Sequence, residues 1–565
     1  MADFLLKSSD KTSFLGNLLA GTVRGDLVFP FPEQEKDDEI IGSEITAKLE
    51  ALLKDKVDRT QIDTTQSLPD GLFDELRAQG FMNLRDPVDY NGLGLSNFNT
   101  FRLIKKAAEY STTVALAMAV QTSIGIGGYL KYIPKGYLRN FVLKHTRKRS
   151  ISGNADAEAE GASHPKRFTT ATLTEDGTAY LLNGKKVYIS NASIADVLVV
   201  SARVYEQDRE ITRLFFVETS SSGFEVTSEH EFMGLKGFPS VEIQFNNVRV
   251  PKEQVLLEPP LEGLILSSHL ALMLGRIYMQ VAPSVAIGEL CTKWMRDYLK
   301  RRSSIDLPLE KYEALQNIVA LSLAEVFAME SVAEWSVLIE DRRNDLEPKL
   351  EQVVARNICA NTCWRILDRT MSVMATEGYE TAQSKKARGV SAVPLECCLR
   401  DARALRTQCG ADFLLDCLFA QMIIFPIFYK KNNDLNVNPV SEGQDTILDN
   451  LSTRNQRHWH FLVEENVSLA NICQNLVKKY PNPRYLYPKE EMMILTTQMV
   501  SELMTISLVL SKAASLEATL QPNPQDLADI YCTAARYRIS ELKNKLLAEE
   551  HPNYQGVFQD WLNMD

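Results

Sequence analysis

The sequence predicts a mainly α protein with a small antiparallel β domain set in its middle. Three observations predict it. Apolar residues recur at helical spacing before about residue 150 and again after about 256. Between those limits the pattern changes to short runs of alternating apolar and polar residues, of strand length, divided by polar and glycine turns. The chain of 565 residues, 45% hydrophobic and 24% charged, is long enough to bury several cores and has the balance of an ordinary globular protein.

The elements follow in order. Residues 1–43 are read as an N-terminal extension and 44–149 as a helical domain. Ser43-Glu44-Ile45-Thr46 opens an amphipathic run through Leu53, and Leu68-Pro69-Asp70-Gly71-Leu72-Phe73 starts another with proline near its first turn. Apolar spacing returns at Phe101, Leu103 and Ile104 and then from Val114 to Ile126, after the turn Tyr90-Asn91-Gly92-Leu93-Gly94. Residues 150–255 carry the strand-like runs Phe168–Leu173, Ala179–Leu182, Lys186–Ile189, Val197–Val204, Arg213–Val217, Phe224–Ser228 and Val241–Phe245. Their spacing predicts an antiparallel sandwich or barrel. Residues 256–429 read as a bundle of long helices, Gly275–Arg301, Glu310–Asp341, Glu351–Met374 and Leu395–Phe425. A polar linker, 430–443, precedes an extra C-terminal helical domain, 444–565, broken at Tyr480-Pro481-Asn482-Pro483 and Gln521-Pro522-Asn523-Pro524.

Composition excludes several classes. A net charge of -11 argues against nucleic acid as a partner, because phosphate neutralisation needs a basic surface. The basic run Lys144-His145-Thr146-Arg147-Lys148-Arg149 reads as a solvated linker. The start of the chain lacks the pattern of a signal or transit peptide, and no window approaches 18 uncharged apolar residues, so a cytoplasmic protein without a membrane span is expected. The apolar faces of the C-terminal helices permit peripheral membrane contact or dimer packing. Nine scattered cysteines read as free thiols. Cys359 and Cys363, the adjacent Cys397 and Cys398, and His458 with His460 at i, i+2 all lack the partners of a metal site, so no metal is expected.

Local motifs carry a resemblance. Asp89-Tyr90-Asn91-Gly92-Leu93-Gly94-Leu95-Ser96 and Gln121-Thr122-Ser123-Ile124-Gly125 are followed by Leu182-Asn183-Gly184-Lys185-Lys186-Val187-Tyr188-Ile189-Ser190-Asn191. Then come Phe232-Met233-Gly234-Leu235-Lys236-Gly237, Phe245-Asn246-Asn247-Val248-Arg249-Val250-Pro251 and Leu399-Arg400-Asp401-Ala402-Arg403-Ala404-Leu405-Arg406. In this order they resemble the acyl-CoA dehydrogenase family over roughly residues 65–425, in its long branch with extra C-terminal helices. The resemblance implies an FAD-dependent oxidoreductase acting on an acyl-CoA or acyl-carrier thioester. It also implies a homodimer, or a hetero-oligomer with a paralogue, since family members build cofactor sites across subunits. Tyr188 then matches the aromatic packed on the flavin and Ser190 the hydroxyl near its N5, while Arg302 and Gly378 match residues of the diphosphate and adenosine side.

The chain departs from the family at the reacting groups. The glutamate that takes the α-proton is replaced by Cys409. The other family position for that carboxylate, just before an arginine on an earlier helix, reads Gly275-Arg276. Asp156 stands where a threonine contacts the flavin pyrimidine, so its carboxylate is expected to repel the charge of the reduced ring. Ser372-Val373-Met374-Ala375-Thr376 replaces a motif ending in two glycines, and Ala411 replaces a threonine. Two readings follow: an acyl-thioester flavoprotein with altered chemistry, or a catalytically inactive paralogue that serves as a partner subunit or binds acyl thioesters.

Overall fold

The computed structural model describes residues 12–161, 166–206, 208–257, 266–303, 307–430, 440–548 and 552–564. The described part of the N-terminal segment packs against the bundle. Helix α1 (Phe14–Leu19) is capped by Ser13, whose hydroxyl accepts from the Gly16 N–H. Phe14 and Leu15 are fully buried, and the Phe14 ring meets Trp335 edge-on at 6.2 Å. Strand β1 (Thr22–Arg24) follows, and α2 (Lys36–Lys56) begins at Lys36 rather than near Glu44. Asp37, Asp38 and Glu39 in its first turn suit the positive end of the helix dipole, which explains the earlier start. Helices α3 (Asn97–Tyr110) and α4 (Thr112–Ser123) are capped by Ser96 and Ser111. Nearly every residue of α4 is buried, so it runs through the centre of the helical body.

The β domain comprises β2 (Ser152–Ala155), β3 (Thr170–Leu173), β4 (Ala179–Ser190), β5 (Val197–Glu206), β6 (Arg209–Glu218), β7 (Phe224–Glu229), β8 (Ser240–Pro251) and β9 (Val255–Leu256). The sheet order is β7-β8-β4-β3-β5-β6-β9, with β2 on β5. It is a mixed sheet rather than the antiparallel one expected, because β2 and β3 both meet β5 in parallel. Alternation fixes which face each residue takes but not the direction of the partner. Strands joined by short turns must run antiparallel, whereas β2 reaches β5 only after the chain has passed through β3 and β4.

The bundle starts with α5 (Leu266–Arg276), a π-helical turn Ile277–Val281, and α6 (Ala282–Arg301), in place of one helix from Gly275. Then come α7 (Glu313–Arg342) and α8 (Lys349–Tyr379). The expected helix Leu395–Phe425 is broken into α9 (Leu395–Leu405) and α10 (Asp412–Phe419). Part of the expected linker, 431–439, lies outside the described residues; its end forms β10 (Val440–Glu442), which pairs in parallel with β1. The C-terminal helices α11 (Thr453–Lys479), α12 (Glu490–Ser515) and α13 (Pro524–Leu546) pack onto the bundle. Lys512 reaches Glu334 at 2.7 Å, and Arg538 reaches Glu502 at 2.6 Å beside the fully buried Glu325. One continuous core therefore joins the N-terminal helices, the bundle and the C-terminal domain, while the β domain has its own.

Three helical stretches, Ser268–Arg301, Asp412–Lys430 and Glu490–Ser515, are long and apolar enough to cross a membrane by length and composition, contrary to expectation. The sequence criterion demanded an uncharged window, and these windows carry one or two charges at most. In the fold, 83%, 50% and 83% of those windows are buried within the protein.

Glu351 ties the N-terminal segment to α8, accepting from the Leu15 N–H at 2.8 Å and the Ser13 hydroxyl at 3.0 Å. Burial pushes its carboxyl up to about 7. The native state therefore holds a proton that the unfolded chain releases near 4.5, and stability falls as pH rises through the window from about 4.5 to 7. Glu351→Gln should raise the unfolding free energy at pH 8, by at most about 3 kcal/mol, and change it little at pH 4.5. Thermal denaturation of both proteins across that range checks the prediction.

Candidate functional site around the Cys409 loop

The β domain is clamped to the bundle through α9. Asp401 accepts from the Leu235 N–H at 2.6 Å, and Arg400 donates to the Met233 carbonyl at 2.9 Å while pairing with Asp63 at 2.7 Å. A Cβ at Gly234 would lie 2.6 Å from the Arg400 carbonyl carbon, so only glycine allows this approach. Asn191, at the end of β4, donates to the Ala117 carbonyl of α4 at 3.0 Å and fixes the other side of the domain. The motifs Met233-Gly234-Leu235 and Ser190-Asn191 thus act as docking points.

Beyond Leu405 the chain leaves the helix. Arg406 folds back on Asp412 at 2.6 Å, and Cys409 (φ +60°) and Gly410 (φ +113°) turn it into α10. A left-handed conformation is unfavourable for a cysteine by roughly 1 kcal/mol or more, so surrounding contacts must impose it. Two buried arginines do so. Arg276, at the end of α5, donates to the Cys409 carbonyl at 2.8 Å. Arg356, fully buried on α8, donates to the Gly410 carbonyl at 2.9 Å and to the Gln408 carbonyl at 3.3 Å. The two like charges lie close enough that burial and Arg276 together push Arg356 down to about 10.

Cys409 itself is partly buried, and burial pushes its thiol up against the pull of Arg276, Arg356 and Gln280. Gln280 projects from the π-helical turn and is fully buried. Among the described residues no carboxylate stands in for the missing one. Gly275 precedes Arg276, and a Cβ there would lie 2.5 Å from the Ser123 Cβ, so the packing leaves no room for a glutamate. Asp412 is held by Arg406, and Asp416 by Asn357 at 2.6 Å and Gln498 at 3.2 Å, with burial pushing Asp416 up to about 6.

On the β-domain side, a register shift between Lys186 and Ile189 turns Tyr188 outward (φ +58°), 63% exposed. Its ring lies 4.6 Å from His230, with Phe232 beyond, which builds an aromatic surface. Ser190 follows at the strand end, opposite Ser240. Asp156 has partners within the β domain. Its carboxylate is bidentate to Arg167 (2.9 Å to each nitrogen), accepts from Ser201 at 2.5 Å, and is held below the usual carboxylate range by Arg167 and Lys186 in spite of burial. Lys186 is fully buried and pairs with Glu158 at 2.8 Å, which also accepts from the Phe168 and Thr169 N–H groups.

Arg302 and Gly378 lie near each other through their neighbours, since Arg301 pairs with Glu377. Arg302 is exposed, 5.8 Å from the Tyr298 ring, and Gly378 is in the last turn of α8. Residues 304–306, which complete the Arg302 motif, lie outside the described residues. Within α8, Ala375 (φ +50°, ψ -136°) kinks the helix at a place where the resemblance has glycine. Sequence reasoning missed Arg356, Gln280 and Arg167. Arg356 carried a signal, a cation amid the apolar spacing of Val353, Val354 and Ile358. The site also meets a cavity of about 490 Å³ whose lining includes Thr122, Ser123, Ala271, Gly275 and Tyr278.

The comparisons with known proteins bear on the fold. The acyl-CoA dehydrogenase N-terminal domain matches residues 42–133 and the acyl-CoA dehydrogenase middle domain residues 154–248. A probable acyl-CoA dehydrogenase, FadE10 of Mycobacterium tuberculosis, is 30% identical over 418 residues, 73% of this chain and 63% of that protein. The human very long-chain specific mitochondrial acyl-CoA dehydrogenase is 23% identical over 415 residues, 72% of this chain and 61% of the relative. The chain therefore spans less than two thirds of the length of either. A crystal structure of an acyl-CoA dehydrogenase complexed with FAD from Bacillus anthracis superimposes with a TM-score of 0.75 at 19% identity, covering 97% of this chain and 95% of the other. Butyryl-CoA dehydrogenase from Megasphaera elsdenii gives 0.60 at 19% identity, over 68% and 97%.

Two outcomes are expected. Lys186→Met leaves Glu158 buried without its cation and should destabilise the protein by about 3 kcal/mol, read from denaturant unfolding. Cys409, with its raised thiol, should be alkylated by iodoacetamide at pH 7.5 more slowly than glutathione, and its rate should climb at higher pH than that of glutathione, as peptide mass spectrometry would show.

Proposed function

The chain belongs to the acyl-CoA dehydrogenase family, and from that premise we propose that it binds acyl thioesters without carrying out the family's α-proton abstraction. One observation carries this reading: the position of the base holds Cys409, a thiol kept protonated by burial beside two arginines that grip its loop through backbone carbonyls. Burial disfavours the thiolate there in spite of the pull of the two arginines. The nearest carboxylates, Asp412 and Asp416, are committed to other partners.

Two features support FAD as the cofactor. The outward Tyr188 ring and the Ser190 hydroxyl at the end of β4 suit a flat aromatic group with a polar edge, and Arg302 with the last turn of α8 suits its phosphates. When bound, FAD supplies an acceptor for two electrons. The protein residues would then orient the thioester and exclude water, with no carboxylate to receive the α-proton. Such a chain serves as an acyl-thioester binding protein, or as the partner subunit of an active paralogue.

Anaerobic titration tests the reading. Purified protein, loaded with FAD, should keep its flavin absorbance when a panel of acyl-CoA thioesters is added. Cys409→Glu should restore bleaching by about 100-fold or more, the usual contribution of a positioned general base. Rapid bleaching of the wild-type protein would overturn the proposal.

A further inference from the structure

Around Cys409 the interior holds polar groups that the protein itself does not complete. Arg276 donates to the Cys409 carbonyl at 2.8 Å and Arg356 to the Gly410 carbonyl at 2.9 Å. In both, the Nε–H is buried and has no hydrogen-bond partner among the described residues. Gln280 is fully buried in the turn Ile277–Val281, and neither its side-chain oxygen nor its nitrogen has such a partner. Its amide lies beside the Cys409 thiol, on which it acts. A buried polar group in this condition costs about 1–3 kcal/mol, and a charged one more. Four such atoms on three side chains around one loop point to a ligand that completes them.

The charges facing the loop decide the sign of that ligand. No carboxylate acts on Arg276, which feels only burial and the Cys409 thiol. Arg356 is acted on by Asp412 and Asp416. Asp412 is held by Arg406 at 2.9 and 2.6 Å, and Asp416 by Asn357 at 2.6 Å and Gln498 at 3.2 Å. Among the described residues three arginines thus meet two carboxylates, and the surplus positive charge falls on Arg276, which is 5% exposed. Carbonyls satisfy the hydrogen bonds of a buried cation, but they do not cancel its charge. One negative charge would.

The surroundings limit the size of the ligand. Arg356 and Gln280 are closed to solvent, and the packing of Gly275 on Ser123 closes the chain just before Arg276. Cys409 is the residue of this group that stays partly exposed, and its side chain is short.

We propose that these groups bind one small monovalent anion, a halide or a short carboxylate such as formate, between Arg276, Gln280 and the Cys409 thiol. The Arg276 Nε–H and the Gln280 amide donate to it, and its charge offsets the one that the loop carbonyls leave uncancelled. The anion also steadies Cys409 in its left-handed conformation, because Arg276 holds both the anion and the Cys409 carbonyl. This site is independent of acyl-thioester binding.

Chloride and formate, each exchanged for gluconate at constant ionic strength, are the probes. Gluconate carries the same charge on a chain too bulky for the buried groups. In the full-length wild-type protein either anion should raise the thermal midpoint saturably, by about 1–2 °C once well above its dissociation constant, and slow iodoacetamide alkylation of Cys409 by about threefold or more. Cys409→Glu brings a tethered carboxylate to the same groups and should abolish the anion's effect on the midpoint, whereas Cys409→Ser should retain it. Gln280→Leu should abolish it as well. Arg276 is left unchanged because it also holds the loop backbone, and circular dichroism verifies that each variant folds. A midpoint shift that persists in full in Cys409→Glu or Gln280→Leu would be a general salt effect and would overturn the proposal. So would a wild-type midpoint or alkylation rate that does not respond saturably to either anion. Failure of acyl thioesters to bind would leave the anion site standing.

Discussion

The grip of Arg276 and Arg356 on three successive carbonyls, Gln408, Cys409 and Gly410, is the interaction on which the site depends. It holds a cysteine in a left-handed conformation, and it sets two cations in the interior with no carboxylate on Arg276. Backbone oxygens satisfy a guanidinium's hydrogen bonds but supply only partial charge, so the desolvation of the two cations is met incompletely. Both arginines come from helices that the rest of the bundle fixes. The loop inherits its rigidity from α5 and α8.

The same economy governs the β domain. Its core is separate from that of the helices, yet it is tied to them at Asp401, Arg400 and Asn191, all by hydrogen bonds to backbone groups. Glycine at 234 is what lets the strands approach α9 closely enough for those bonds. Inside the domain, Asp156, Glu158, Arg167, Lys186 and Ser201 form a closed network in which each charge has a partner.

In these arrangements Arg276 and Arg356 do structural work: they hold backbone, at the loop where Cys409 stands in the place that the family resemblance gives to the base. The cavity beside Gly275 lies on the same side of the bundle as Arg276, which follows Gly275 in the chain.

The sequence by itself determined the order of helical and strand segments, the family resemblance and the vacancy at Cys409 and Gly275. Those depend on local periodicity and on residue identity at motif positions. It did not show where the N-terminal segment packs and ran α9 into α10, because capping by Ser13 and the break at Cys409-Gly410 are sealed by Glu351, Arg276 and Arg356, far away in sequence. It took the β domain as wholly antiparallel, since alternation is silent on strand direction. It did not show the partner of Asp156, and the tertiary structure supplied Arg167, because a side chain's charge is balanced by its neighbours in space and not by its place in a motif.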